Sequence, residues 1–248
     1  MWERWFGWGS RPAGLGADQL PFRDRETAAA LLAERLRILD LPAGTLVLGI
    51  PRGGVPVAAV VARALGLELD VLVAHKLGAP GNPEFAIGAV AVDGTTFLES
   101  WAADSGADSG YTGSERDHQL ERARRLEERL RGDRAPLAMA GRPVVIVDDG
   151  IATGSTVHVA AMAARAAGAS RVVIAAPVAA AETMARLATV ADETLALATP
   201  DPFYAVGLWY ERFDQVEDDE VARLLSEAGG RGDPGDDPGG RAPGTAAE

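Results

Sequence analysis

The sequence predicts an α/β fold with a mostly parallel central sheet and helices on both of its faces. Short runs at residues 46–50, 69–74, 144–147 and 171–176, apolar apart from Asp70 and Arg171, carry this reading, because strands covered on both faces lose the polar alternation of half-exposed ones. The runs at 46–50, 144–147 and 171–176 are each followed by turn residues and then by a stretch of helical period. That alternation lays successive strands parallel, with a helix crossing over between them.

Residues 25–39 open the pattern as a helix, with Ala29, Leu32, Leu36 and Leu39 at helical spacing and Pro42 and Gly44 ending it. The strand 46–50 runs into the turn Pro51-Arg52-Gly53-Gly54, and a helix over 55–65 closes at Gly66. Residues 69–74 read as a second strand and 86–92 as a third, with 95–98 completing a hairpin across Asp93-Gly94. Residues 102–113 are small and polar and read as a mobile loop. A charged helix follows, capped by Ser114 with Asp117 three residues on. Leu120, Ala123, Leu126 and Leu130 form its apolar stripe, and Glu121–Arg125 and Glu127–Arg131 pair along a solvated face. The strand 144–147, a helix over 155–167 closed by Gly168, the strand 171–176, a helix around 180–188 and a strand at 195–197 complete the series.

The 248 residues suit one domain over 18–228 with two extensions. Residues 1–17 crowd Trp2, Trp5, Phe6 and Trp8 among glycines, which reads either as an interfacial or partner-binding segment or as a poorly ordered start. Residues 229–248 hold seven glycines and three prolines and are expected to be disordered. A net charge of −12 repels polyanions, so no nucleic-acid interface is expected, and any anionic ligand must be held by a local arrangement against the global field. There is no cysteine, which excludes disulfides, thiolate catalysis and Cys-based zinc sites. His75, His118 and His158 are scattered without metal-site spacing. No apolar run reaches membrane-spanning length, and the start lacks the basic-then-apolar pattern of a secretory signal, so a cytoplasmic location without membrane association is expected.

The most informative stretch is Val144-Val145-Ile146-Val147-Asp148-Asp149-Gly150-Ile151-Ala152-Thr153-Gly154-Ser155-Thr156. Here a buried strand ends in two carboxylates, then a glycine-containing turn opens a helix. Such a turn aims several backbone N–H groups at one point, and the helix dipole adds about half a positive charge there. Thr153, Ser155 and Thr156 can add hydroxyl donors, giving a monophosphate cradle that needs no lysine. Two adjacent carboxylates in one site are costly unless cations or hydroxyl donors satisfy them, and sugar hydroxyls beside a bound 5′-phosphate do that. The element therefore reads as a ribose 5-phosphate binder rather than as a solvated Asp-Asp turn. GxxxxGK[ST], GxGxxG and GxSxG patterns are all missing, which argues against nucleotide-hydrolysing P-loops, dinucleotide folds and serine nucleophiles.

This stretch resembles the phosphoribosyl-pyrophosphate (PRPP) signature of the type I phosphoribosyltransferases, and the resemblance extends over about residues 22–225. It implies that family's fold, an α/β sheet with a small hood region. It also implies that Asp148 and Asp149 bind the ribose 2′ and 3′ hydroxyls, and that Ala152, Thr153, Gly154, Ser155 and Thr156 hold the 5′-phosphate. Pro51-Arg52-Gly53-Gly54 then looks like the pyrophosphate loop, Arg52 offering forked donors and the glycines a close backbone approach. Lys76, in a chain where lysine is scarce, looks like the family's second pyrophosphate contact, so Arg52 and Lys76 are the expected catalytic pair. His75 stands where an arginine is expected. Asn82 and Glu84, in the turn-rich loop 78–85, could meet the acceptor or the metal. Among the aromatics of 202–210, Trp209 and Tyr210 are the candidates for stacking on an acceptor base, while Phe203 reads as core.

By the same resemblance, the reaction is transfer of the 5-phosphoribosyl group from PRPP to a nitrogen nucleophile, usually a nucleobase, with Mg2+ on the pyrophosphate. A mobile loop over 99–113 would exclude water. Ala152 stands where 6-oxopurine transferases carry an aspartate, which makes hypoxanthine or guanine a poor substrate. The alternative is a non-catalytic regulatory module that senses PRPP or a nucleotide. The sequence leaves the acceptor and the oligomeric state open, a homodimer being the candidate assembly.

Overall fold

The computed structural model describes residues 20–229; the aromatic extension and all but the first residue of the Gly/Pro-rich tail lie outside this range. Helix α1 (Arg25–Leu36) begins where Asp24 accepts a hydrogen bond from the Thr27 amide at 2.9 Å, a side-chain cap on an otherwise orphaned donor. Strand β1 (Leu46–Gly49) feeds helix α2 (Gly54–Leu65), which stops at Gly66 with a left-handed φ of 67°. Strand β2 (Glu68–Val71) follows. Further along come β6 (Pro143–Val147), α4 (Ser155–Ala166), β7 (Arg171–Val178), α5 (Ala181–Leu187) and β8 (Glu193–Ala198). These strands form one parallel sheet in the order β2-β1-β6-β7-β8.

Both faces of that sheet are core, as the apolar runs require. Val47, Val145, Val147, Val173 and Ala175 pack toward α1 and α2, while Leu46, Leu48, Val144, Ile146, Val172 and Ile174 pack toward α4. The chain leaves β1 toward β2 on one side, whereas β6 leads to β7 and β8 on the other. The switch point thus lies between β1 and β6, with Gly49 in register with Val147. Ligand crevices of open α/β sheets lie beyond the strand C-termini at such a point.

A second sheet is antiparallel, with β3 (Ala74–Ala79), β4 (Asn82–Ala91) and β5 (Thr96–Leu98) in that order. Here the sequence reading needs correction in two places. The run 69–74 is no single strand: it breaks after Val71, and Ala74 opens the second sheet. The stretch 78–85, expected as a loop, is mostly strand, turning at Pro80 and Gly81 with the pairing shifted around Gly78. Glycine at 78 reflects close approach, since a side chain there would meet the Pro83 backbone at 2.7 Å. Ala74, Ala89, Ala91 and Phe97 lie against Val159 and Ala163 of α4, and Phe97 stacks on His158 at 3.8 Å.

Helix α3 (Ser109–Arg131) starts earlier than its expected cap at Ser114. Asp108 is the cap, accepting from the Tyr111 amide at 2.7 Å, and Tyr111 is fixed by a 2.9 Å hydrogen bond from its hydroxyl to the Gly78 carbonyl. Half of the expected mobile loop is therefore a packed helix start. Helix α6 (Asp218–Gly229), which the sequence reading missed, inserts Val221 and Leu225 into the core beside α2 and β2. Among the described residues, no helix is long and apolar enough to cross a membrane.

Beneath α3, Arg131 and Asp70 form a buried ion pair, Asp70 being only 1% exposed. Asp70 also accepts from the Val71 and Leu137 amides at 2.8 Å, and Arg131 donates to the Val71 carbonyl at 2.9 Å and to Glu127 at 3.0 Å. Removing one partner of such a pair leaves a desolvated charge without compensation. Arg131→Met is expected to destabilise the chain by about 3–5 kcal/mol, measured as a lowered urea midpoint.

Candidate functional site

The loop between β6 and α4 spans residues 148–154, and the loop between β1 and α2 spans 50–53. The adjacency of β1 and β6 brings them into contact. A side chain at Gly53 would collide with the Asp149 carboxylate, and one at Gly54 would come within 2.6 Å of the Val147 carbonyl oxygen. Both glycines are thus required by packing of loop on loop. The Pro51–Arg52 peptide bond between them and β1 is cis. Arg52 is exposed, its nearest acid being Asp218 of α6 at 3.8 Å.

The two acids differ in setting. Asp149 is buried, its Oδ2 accepting from Arg25 Nε at 2.8 Å, while Asp148 Oδ1 accepts from the Asp149 amide at 2.9 Å. The two carboxyl groups also lie within hydrogen-bonding reach of each other, so that a protonated Asp148 donates to Asp149. Burial, and then the neighbouring Asp149 charge, push the Asp148 carboxyl well above the usual carboxylate range. Burial also raises Asp149, with Arg25 pulling the other way. Asp148 shows partial exposure by area although its carboxyl is closely enclosed; enclosure is what bears on its charge. The pair is thus two crowded acids that hydroxyl donors or a cation would relieve.

A raised native pKa means that the folded state prefers the protonated acid, so this site stabilises the fold most below the ordinary value of 3.8 and costs stability as pH rises through the native value. Asp148→Asn removes that cost. Its stability relative to the natural chain should therefore grow as pH rises from below 3.8 through the raised native value, as read from urea midpoints across a pH series.

Beyond the acids, the loop is tied to α5. The Ala152 carbonyl accepts from Thr183 Oγ1 at 2.6 Å, and the Thr153 carbonyl accepts from Arg186. In a planar trans peptide the N–H points opposite to the C=O, so these two ties aim the Thr153 and Gly154 amides away from α5. No partner occupies the amides of Ala152, Thr153 or Gly154 among the described residues. Gly154 has φ 75° and precedes the first turn of α4, whose amides have no helical acceptors. Five successive N–H groups, from Ala152 to Thr156, are thus available to an anion. Ser155 does not lend its hydroxyl as expected, because the residue is only 2% exposed and its Oγ donates to Glu99 at 2.7 Å.

Residues 20–24 and 203–216 form a small hood on this rim. Phe22 pairs with Tyr210, and a side chain at Gly150 would strike Val206. Tyr210 does not offer its ring for stacking. It is buried between Phe22 and Phe213, and its hydroxyl donates to the Asp149 carbonyl at 2.5 Å. Trp209 packs beside Phe203 and the main core. Arg25, absent from the sequence reading, lies over Phe213 at 3.8 Å and joins hood to acid pair. Its one sequence signal was a position just after the α1 cap.

Lys76 lies on β3 in register with Ala89, which in turn pairs with Phe97, so it belongs to the row facing α4. Its Nζ is 2.7 Å from Glu84, a side chain that is 88% exposed. Lys76 thus stands in the second sheet, with Glu84 as its partner. His75 faces the other way, 3.3 Å from Gln119 of α3, and burial lowers its pKa. Two surface cavities of about 480 and 510 Å3 lie around α2 and α6, and the second is lined in part by Arg25 and by the hood residues Asp24, Arg212, Asp214 and Val216.

Fold and rim together define an α/β domain that gathers two acids and a run of free amides at the switch point of its sheet. The pattern of a phosphoribosyl transferase domain matches residues 42–195. Two Mycobacterium tuberculosis strains, CDC 1551 and H37Rv, each have a protein that goes by the provisional name of phosphoribosyl transferase. Both are 46% identical to this chain over 208 residues, 84% of the chain and 47% of theirs. The chain therefore spans about half the length of the curated relatives it matches. The crystal structure of TT1426 from Thermus thermophilus superposes with a TM-score of 0.72 at 48% identity, covering 83% of this chain and 98% of that one. The chain belongs to the phosphoribosyl transferase domain family, and its fold is the type I phosphoribosyltransferase fold.

Proposed function

We propose that this domain binds PRPP across the crevice between β1 and β6 and transfers its 5-phosphoribosyl group to a nitrogen nucleophile, with release of pyrophosphate. The observation that carries the reading is the meeting, at one strand-end rim, of two adjacent buried or half-buried acids and a run of unpartnered amides. Asp148 Oδ2 and Asp149 Oδ1 accept the adjacent ribose hydroxyls, and the amides of Ala152 to Thr156 take the 5′-phosphate, with the Thr153 and Thr156 hydroxyls at hand. Gly53 and Gly54 let the facing backbone approach the pyrophosphate, toward which Arg52 turns from its loose contact with Asp218. Lys76, paired with the exposed Glu84, is the further cation offered to the pyrophosphate.

Bond breaking at C1′ leads, so catalysis consists of holding the departing pyrophosphate and aligning the acceptor. Among the described residues no group of three or more His, Asp or Glu side chains could hold a metal alone. That fits Mg2+ carried in on the pyrophosphate and ribose hydroxyls, since the ion keeps several waters and needs few protein ligands. The ion would spread the charge of the leaving pyrophosphate. The acceptor meets the hood. With Trp209 and Tyr210 turned into the structure, the exposed Tyr204 and Leu208 beside Val206 are the side chains placed to touch it. Ala152 supplies no acid or base there, which disfavours 6-oxopurines.

The test is pyrophosphate release from PRPP and Mg2+ with a panel of nucleobases. Release dependent on one base supports the reading. Tight PRPP binding without turnover on any acceptor redirects it to a regulatory sensor.

A further inference from the structure

A carboxylate buried against a phosphate cradle is electrostatically out of place, and Glu99 is one. It follows β5 and is 4% exposed. Its Oε1 accepts from Ser155 Oγ at 2.7 Å and its Oε2 from Arg186 Nη1 at 3.0 Å. Ser155 is the first residue of α4, where the dipole and free amides favour an anion, so Glu99 competes for the same positive field. Its backbone is clamped as well, its amide donating to Ile87 of β4 and its carbonyl accepting from Ala102, both at 3.0 Å. Arg186 offsets the charge and, with its other nitrogen, holds the Thr153 carbonyl. Its guanidinium also lies 5.8 Å from the centre of the Trp101 ring.

The geometry points to Glu99 and Arg186 as a charge-balanced positioning pair that sets the aim of the phosphate loop, an inference that rests on the site proposed above. Arg186 pins the Thr153 carbonyl and thereby turns the Gly154 amide toward the cleft. Glu99 holds Arg186 in place and fixes the first turn of α4 through Ser155. Neither side chain touches the ligand; both act through the backbone that does.

The pair has a signature that a merely structural role lacks. Without Arg186, the loop loses its aim and the Glu99 charge stands unbalanced beside the incoming phosphate. Arg186→Met should raise the Kd for ribose 5-phosphate by about tenfold or more, the scale of one charge-assisted hydrogen bond. The Kd for inorganic pyrophosphate should stay within about twofold, because Arg52, Gly53 and Gly54 are untouched. Adding Glu99→Gln removes the stranded charge and should lower the ribose 5-phosphate Kd again by about threefold or more. Arg186→Lys keeps the charge without spanning both acceptors and should fall between the natural chain and Arg186→Met. All are measured by calorimetry on the full chain, with melting temperatures alongside. An unchanged ribose 5-phosphate Kd in Arg186→Met, an equal loss for both ligands, or a double variant no tighter than the single one overturns the inference and leaves the site standing. A natural chain that binds neither ligand overturns both.

Discussion

Replacing both strand-end acids, Asp148→Asn with Asp149→Asn, should abolish measurable binding of PRPP and ribose 5-phosphate while the chain stays folded. The carboxylates are half-buried or buried and strain against their setting: burial raises both, and only Arg25 lies near as a counter-ion. Amides are isosteric, can still bond Arg25 and the loop backbone, and carry no charge to desolvate. What they lose is acceptor strength. Each hydroxyl-to-carboxylate hydrogen bond is worth about 1.5–3 kcal/mol, so two amount to a loss of roughly a hundredfold to ten-thousandfold in affinity. Calorimetric titration with each ligand reads the loss, and circular dichroism checks the fold. An affinity equal to that of the natural chain would show that these acids do not hold the ribose.

Asp148 and Asp149 were legible in the sequence because both the strand and the loop announce themselves locally. Four buried aliphatic residues end at the acids, and glycine and threonine then open a helix. The same holds for Gly53 and Gly54, whose position after β1 marks a close approach. What stayed hidden depends on contacts between distant segments. Arg25 and Asp149 are 124 residues apart, and Glu99 and Ser155 are 56 apart. No local period announces such a pair. Glu99 in particular carries no local mark of burial, since it follows a three-residue strand at the foot of an expected loop.

Two other misreadings share a cause. Pro80, Gly81 and Pro83 signalled a loop over 78–85, yet the turn needs only Pro80 and Gly81, and Pro83 sits where the β3–β4 pairing is already shifted. Turn chemistry was judged correctly and its length was not. The aromatics of 202–210 suggested a stacking platform, but Tyr210 spends its ring on Phe22 and Phe213 and its hydroxyl on the Asp149 carbonyl. An aromatic with a polar tip suits a buried position under a polar loop as well as an exposed one, and sequence alone cannot choose between the two.

Gly53→Ala should damage both the fold and the rim, because its new methyl strikes the Asp149 carboxylate. Gly53 has ordinary helical dihedrals, φ −62° and ψ −29°, so alanine meets no backbone penalty there. The obstacle is Asp149, whose carboxyl carbon lies 2.6 Å from where the new carbon must go. Either the carboxylate swings off Arg25, or the two loops separate and the crevice between β1 and β6 widens. The first outcome strands Arg25 beside Phe213; the second pulls the pyrophosphate loop away from the ribose acids. Overpacking of this kind costs about 1–3 kcal/mol of stability, and misplacing the acid by an ångström costs about a hundredfold in turnover. Gly44→Ala is the matched control, because nothing lies within 4 Å of its new carbon, and it should stay within about 0.5 kcal/mol of the natural chain. Urea midpoints and PRPP affinity for the two variants, measured side by side, decide the matter. Equal values for both variants would mean that the loops after β1 and β6 do not meet at Asp149, and the crevice would lose the contact that sets its width.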